Sequence, residues 1–205
     1  MTAESGKLFV VMALCYLAGS VPWGVLVARR YGVDVLCAGS CSTGATNVYR
    51  TVGGKAAFIV LVLDALKGFG AALIGGRLYG VSPDIGAVLG GLSAILGHCY
   101  SPFLGFKGGK GVATSAGVAL YLFPELIAIG VIIYALVTGV TRYSSLGSLV
   151  GVGCVLVLVL FIEESILVKL FAVAAASLIV YRHVPNIRRL MSGQENRLGG
   201  AGKRS

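Results

Sequence analysis

Charge is what this chain has least of. Only 12% of its 205 residues are Asp, Glu, Lys or Arg, against about a quarter in a water-soluble domain. With apolar segments running almost end to end, a separate soluble domain is excluded. Metal-binding chemistry is also missing. The five cysteines form no C-x-x-C, and the two histidines, His98 and His183, are far apart, so no metal site and no cofactor is expected. Cys15, Cys99 and Cys154 read as small apolar residues within or beside spans, whereas Cys37 and Cys41 fall in a loop on the reducing side of a membrane. No convincing cleavage site follows the first apolar segment, where Gly19-Ser20-Val21-Pro22-Trp23-Gly24 continues into Arg29-Arg30. That segment therefore reads as a retained anchor.

What is present is hydrophobic length. Apolar residues make up 57% of the chain and the mean hydropathy is +0.90. Apolar spans run over residues 8–28, 56–76, 85–103, 112–123, 125–141, 146–162 and 166–181, most of them near the roughly 20 residues that cross a hydrocarbon core. The reading is an all-α integral membrane protein of seven transmembrane helices, some short, with six as the alternative count. Pro124 separates the short fourth span from its successor, giving two short helices or one broken one. Residues 1–205 form a single polytopic domain, with motif loops at 31–55, 104–111 and 141–148 and a tail at 182–205. A seven-span path with the N-terminus outside collects Arg29, Arg30, Arg50, Lys55, Lys107, Lys110, Arg142, Arg182, Arg188, Arg189, Arg197, Lys203 and Arg204 on the inner face. The outer face keeps Lys7 and Arg77 with most of the carboxylates, so the C-terminus is cytoplasmic. The net charge of +9 then reflects topology, and no nucleic-acid partner is expected.

Three polar segments fall on that inner face. The first, Ala38 to Arg50, is rich in glycine and hydroxyl residues that allow close approach of a ligand, and Arg50 offers a two-pronged fork for an oxyanion. The second is Phe106-Lys107-Gly108-Gly109-Lys110-Gly111-Val112-Ala113-Thr114. It is no Walker P-loop, because Gly111 and not a hydroxyl residue follows Lys110, yet glycine N–H groups beside lysines suit a phosphate. The third runs from Tyr181 through Arg182, His183 and Asn186 to Arg188 and Arg189; His183 could titrate near neutrality or merely complement a helix end. Asp64 and Lys67 share one helical face and can neutralise each other; such an intramembrane pair is either functional or structural. Ser144, Ser145 and Ser148 begin a span, as caps or anion ligands. Gly86-x-x-x-Gly90 and Gly147-x-x-x-Gly151 read as helix-packing contacts.

Together these strings resemble the bacterial acyl-phosphate:glycerol-3-phosphate acyltransferase family. The resemblance is carried by Gly44-Ala45-Thr46-Asn47-Val48-x-Arg50, Asp64-x-x-Lys67-Gly68, Gly97-His98 and Phe106 through Thr114. It continues in Thr141-Arg142-Tyr143-x-Ser145-Leu146-Gly147-Ser148 and in Arg182-His183-x-x-Asn186-Ile187-x-Arg189-Leu190-x-x-Gly193-x-Glu195. One departure stands out. Where the family has Gly-Ser-Gly-Asn, this chain has Gly39-Ser40-Cys41-Ser42, which replaces a glycine and an asparagine.

The resemblance implies transfer of a fatty acyl group from acyl phosphate to the 1-hydroxyl of glycerol 3-phosphate, giving lysophosphatidic acid and phosphate. It also implies residence in a bacterial cytoplasmic membrane, an active site on the cytoplasmic face, contact with membrane lipid and a functional link to the enzyme that forms acyl phosphate. His183, Asn186 and Lys110 are the expected catalytic residues. Ser40, Gly44, Thr46, Asn47, Arg50, Lys107, Gly108, Gly109, Gly111 and Ser148 are the expected phosphate ligands, with Asp64, Lys67, Arg142 and Ser145 as further candidates.

The chemistry is coherent. Two phosphates must be held close despite their repulsion, which cations and directional N–H and O–H donors achieve. The mixed anhydride is already activated, so no covalent nucleophile is required. Either His183 or an oxygen of the acyl phosphate takes the hydroxyl proton. The His-x-x-x-x-Asp pair of soluble-type glycerolipid acyltransferases is absent: Phe103 follows His98 at that distance and Arg188 follows His183. An anion transporter would explain Asp64 and Lys67, and a lipid-binding scaffold the basic tail. Against the transporter, the polar groups cluster on one face instead of the midplane and there is no internal repeat; the scaffold leaves the glycine-lysine loop unexplained.

Overall fold

The computed structural model describes residues 3–199; Lys203 and Arg204 lie outside the described residues. Among these the regular structure is helical: α1 (Ala3–Ser20), α2 (Trp23–Arg29), α3 (Ala45–Thr51), α4 (Gly54–Tyr79), α5 (Pro83–Cys99), α6 (Val112–Leu122), α7 (Pro124–Thr141), α8 (Ser144–Ile162) and α9 (Ile166–Met191). A single 3₁₀ turn at Pro102–Leu104 follows α5.

Among the described residues, five stretches are long and apolar enough to cross a membrane: Ala3–Arg29, Gly54–Tyr79, Pro124–Thr141, Ser144–Ile162 and Ile166–Met191. Two more apolar helices, Asp84–Cys99 and Val112–Leu122, are shorter. Each of the seven expected spans coincides with one of these, but length and composition support five. The expected span 85–103 overshoots, because α5 stops at Cys99 and Pro102 starts the 3₁₀ turn. Ser144–Ser148 and Arg182–Met191, expected in a loop and a tail, are helical.

The first span is broken where Pro22 has no N–H to give to the helix ladder. The carbonyls freed there find new donors: Ser101 Oγ–H reaches Ser20 O at 2.7 Å and Lys67 Nζ reaches Val21 O at 3.0 Å. Small residues let helices close on one another. A methyl on Gly68 or Gly117 would strike the backbone of Thr114 or Ala65 across the α4–α6 contact. Gly86 packs on Gly75 of α4, and Gly147 and Gly151 pack on Thr138 and Gly130 of α7, so both small-residue motifs are packing contacts. Large apolar side chains such as Phe9, Val140 and Phe161 remain 68%, 86% and 86% exposed, as a surface facing lipid requires.

Candidate active site

The starts of α3, α4, α6 and α8 and the end of α9 meet at one end of the bundle, around a cavity of about 570 Å³. Its mouth is polar, lined by Ser40, Thr46, Arg50, Lys110, His183 and Asn186 among others. Its depth is apolar, running between α6, α7, α8 and α9 to Phe123 and Phe171.

The first motif loop is organised by Asn47, which is 1% exposed. Its Nδ2 donates to the carbonyls of Val35, Ala38 and Ser42 at 3.0, 3.0 and 2.9 Å, and its Oδ1 accepts from the Ser40 N–H at 2.7 Å. The side chain expected to bind phosphate is spent on holding the loop that presents Ser40. Cys41 adopts φ 51°, the left-handed region that favours glycine. This accounts for the glycine of the family pattern at that position. Beyond the loop, Thr46 Oγ1 and Ser144 Oγ share a hydrogen bond at 2.9 Å, and Tyr134 OH and Ser144 Oγ share one at 3.0 Å.

The glycine-lysine loop is clamped from both sides. Arg182 lies over the Tyr100 ring and donates through Nη2 to Gly108 O at 2.9 Å and through Nε to Gly109 O at 3.1 Å. From α5, His98 O accepts the Gly109 N–H at 3.1 Å. A methyl on Gly108 would collide with His98 O, and one on Gly109 with the His98 ring. These two glycines therefore serve close packing. Behind them Asp64 Oδ1 lies 2.8 Å from Lys67 Nζ and 3.5 Å from His98 Nδ1. The clamped loop delivers Lys110 to the cavity and then turns through Gly111, at φ 81°, into α6. The N-terminus of α6 carries no side-chain cap, and its first residues, Val112 and Ala113, line the cavity. Free N–H groups at such a terminus favour an anion.

On α9 the buried stripe Phe171, Ala172, Ala175, Ala176, Ile179, His183, Asn186 has helical period and brings both polar residues into the cavity. His183 Nδ1 lies 2.8 Å from Ile179 O. A carbonyl only accepts, so Nδ1 carries the proton and Nε2 keeps a lone pair. The chain then folds back across the mouth. Glu195, 7% exposed, accepts from Asn186 Nδ2 at 2.7 Å, from Ser145 Oγ at 3.0 Å and from Arg189 Nε at 2.8 Å. Arg50 Nη2 donates to Asn196 O at 2.9 Å, and the Leu198 N–H to Arg142 O at 2.7 Å. Residues 193–198 thus strap α3, α8 and α9 together.

The electrostatics follow from this crowding. Burial pushes Lys110 down to about 8; Glu195 opposes the fall, and Arg189, Arg50 and Arg182 add to it. Burial also lowers Arg50 from its ordinary value, against the pull of Glu195, though a guanidinium stays charged. Burial raises the Glu195 carboxyl, but hydrogen bonds from Asn186, Arg189 and Ser145 outweigh it and leave the group below its ordinary value. Arg50 Nε and Ser115 Oγ are buried without a hydrogen-bond partner among the described residues, and both residues line the cavity. An anion at the mouth would meet Lys110, Arg50 with its unpaired Nε, the unpaired Ser115 hydroxyl and a helix N-terminus.

Of the expected site residues, Ser40, Gly44, Thr46, Asn47, Arg50, Asp64, Lys110, Gly111, Ser145, Ser148, His183 and Asn186 line this single cavity. Gly108 and Gly109 brace its wall. Lys67 faces a smaller cavity behind it. Lys107 and Arg142 are exposed and outside it; Lys107 lies in the chain reversal paired with Ser101, and Arg142 turns outward at φ 62°. Missing from the expected set are Glu195, Arg182, His98 and Tyr134. Glu195, Arg182 and His98 stand in the strings that carry the resemblance, and Glu195 is also a lone carboxylate in a basic tail; what each of them touches depends on which helix faces meet. Among the described residues, no three His, Cys, Asp or Glu stand together as metal ligands.

A family model described as glycerol-3-phosphate acyltransferase matches residues 9–193. A protein of that name from Geotalea daltonii is 42% identical over 198 residues, covering 96% of this chain and 98% of its own. Another from Anaeromyxobacter sp. is 44% identical, covering 92% and 95%. Among solved structures, the glycerol 3-phosphate form of PlsY (YgiH), an integral membrane glycerol 3-phosphate acyltransferase, superposes with a TM-score of 0.87 at 36% identity. That match covers 94% of this chain and 96% of that one. The lysophosphatidic acid form of the same protein superposes with a TM-score of 0.86.

Proposed function

The chain belongs to the glycerol-3-phosphate acyltransferase family and is an acyltransferase, and we propose that it transfers a fatty acyl group from acyl phosphate to the 1-hydroxyl of glycerol 3-phosphate, releasing lysophosphatidic acid and phosphate. One observation carries this reading: the cationic mouth with Arg50, Lys110 and His183 and the apolar channel down to Phe171 are one cavity. A phosphate-bearing head and a fatty chain can occupy it together. The forms named for the related PlsY structures, with glycerol 3-phosphate and with lysophosphatidic acid, support the same acceptor and product.

In this reading Arg50, Lys110 and the α6 N-terminus hold the two phosphates. His183 Nε2 accepts the hydrogen bond of the attacking hydroxyl, and Asn186 is held beside it by Glu195. The hydroxyl oxygen bonds to the acyl carbonyl carbon, the anhydride bond to phosphate breaks, and the hydroxyl proton passes by way of His183 Nε2 to that departing phosphate. Fixed donors at the mouth stabilise the charge that develops. The chain spans a bacterial cytoplasmic membrane seven times, N-terminus outside, with the cavity mouth on the cytoplasmic face. There it can receive acyl phosphate from the enzyme that forms it.

The test is acylation of labelled glycerol 3-phosphate by purified protein in detergent, with acyl phosphate or an acyl thioester as donor. Product from acyl phosphate alone is expected, with losses of at least tenfold in Lys110→Ala and His183→Ala. No product from any donor in folded protein would overturn the reading. A loss far below tenfold would remove the substituted residue from the mechanism.

A further inference from the structure

We propose that Phe123 and Phe171 form the floor of the acyl channel and set the longest acyl chain that the enzyme uses. The proposal rests on reading the cavity as the acyltransferase site.

Below the mouth the walls become small. Ala176, Ala175 and Ala172 continue the α9 stripe beneath Ile179, and Gly130 of α7 and Gly151 of α8, closely packed on each other, form part of the lining without a side chain. These residues leave a slot where larger side chains would fill it. The slot then ends abruptly. Phe123 and Phe171, 4% and 1% exposed, pack with ring centroids 6.3 Å apart and planes tilted by 56°. Val159 and Val168 belong to the same buried cluster, yet neither lines the cavity, so the aromatic pair is its last layer. Phe123 is held by the chain itself: it is the residue between α6 and α7, where Pro124 prevents the helix from continuing. From His183 to Phe171 the α9 wall measures about 18 Å at the helical rise. A chain longer than the slot must displace rings in a close-packed layer, which such interiors resist.

The cavity has a second apolar side. Phe58 and Leu61 of α4 and Val131 of α7 line it and are 66%, 47% and 54% exposed, so a chain bending out between α4 and α7 would enter lipid and never meet the floor. The two paths give opposite results when donors compete.

The experiment offers the full-length protein an equimolar mixture of lauroyl, myristoyl, palmitoyl, stearoyl and arachidoyl phosphates with glycerol 3-phosphate, and products are counted by mass spectrometry. Phe171→Leu, which lowers the floor, is expected to raise the longest products relative to palmitoyl about tenfold. Ala175→Leu, which blocks the slot midway, is expected to depress long products relative to lauroyl by a similar factor. Phe123→Leu replaces Phe171→Leu if the latter fails to fold. Any pattern other than these opposite shifts, in active folded protein, overturns the floor and assigns the chain to the α4–α7 side. Absence of acylation by the wild type would instead overturn the reading of the site, and the floor with it.

Discussion

A lysine that must carry charge while buried has a narrow working range. Burial brings Lys110 down to about 8, so its ammonium is lost as pH rises through that value. The KM for glycerol 3-phosphate is therefore expected to climb above about pH 8, and Lys110→Arg, charged throughout, to move that limb upward. Stability should move the other way. The folded state binds fewer protons than the unfolded state between the lowered value and the ordinary 10.5, so the ligand-free protein gains stability as pH rises across that window. Thermal unfolding without substrate should show a gain where the kinetics show a loss. Cys41 makes a second prediction. A non-glycine residue at φ 51° is strained by roughly 1 kcal/mol, so Cys41→Gly should raise the melting temperature with little effect on kcat.

At the scale of elements, the strap from Gly193 to Leu198 ties the end of α9 to α3 and α8 through Glu195, Asn196 and Leu198. Glu195→Gln removes the ion pair with Arg189 and is expected to cost about 1–3 kcal/mol. Because the folded carboxyl lies below the ordinary 4.5, its contribution is present above that value and is lost as pH falls through the folded one. Melting curves of wild type and Glu195→Gln should therefore converge in acid; a gap that persisted there would show that the carboxylate charge is not what the strap uses.

The same elements show what sequence can carry. Arg50, Lys110, His183 and Asn186 were legible because polar groups amid apolar text must have a purpose, and the helical period of α9 puts the last two on one face. Gly108 and Gly109, expected among the phosphate ligands, pack against α5. Only the approach of α5 reveals that they make room for His98. Arg182 gave no hint of its role, since its acceptors are backbone carbonyls 73 and 74 residues away. Asn47, expected in the loop, lies in α3, and its three carbonyl partners depend on a fold-back that no spacing announces.

For the whole molecule the sharpest question is orientation, and the native cysteines can answer it. Cys37 and Cys41 are exposed, whereas Cys15 and Cys99 are buried. With the cavity mouth in the cytoplasm, a membrane-impermeant maleimide should label the protein in inverted vesicles and leave it unlabelled in intact cells. Cys37→Ser with Cys41→Ser should abolish that labelling. The opposite pattern would turn the bundle over.

The strap also has a consequence in time. Glu195, Asn196 and Leu198 follow the last helix, yet they complete a wall begun by Ser145 and Arg50 far earlier in the chain. A nascent chain whose helices have all entered the bilayer but whose residues near 195 are still within the ribosome has a bundle and no finished site. The wall around the cavity mouth is therefore closed only once residues 195–198 have folded back from the end of α9 onto segments made long before them.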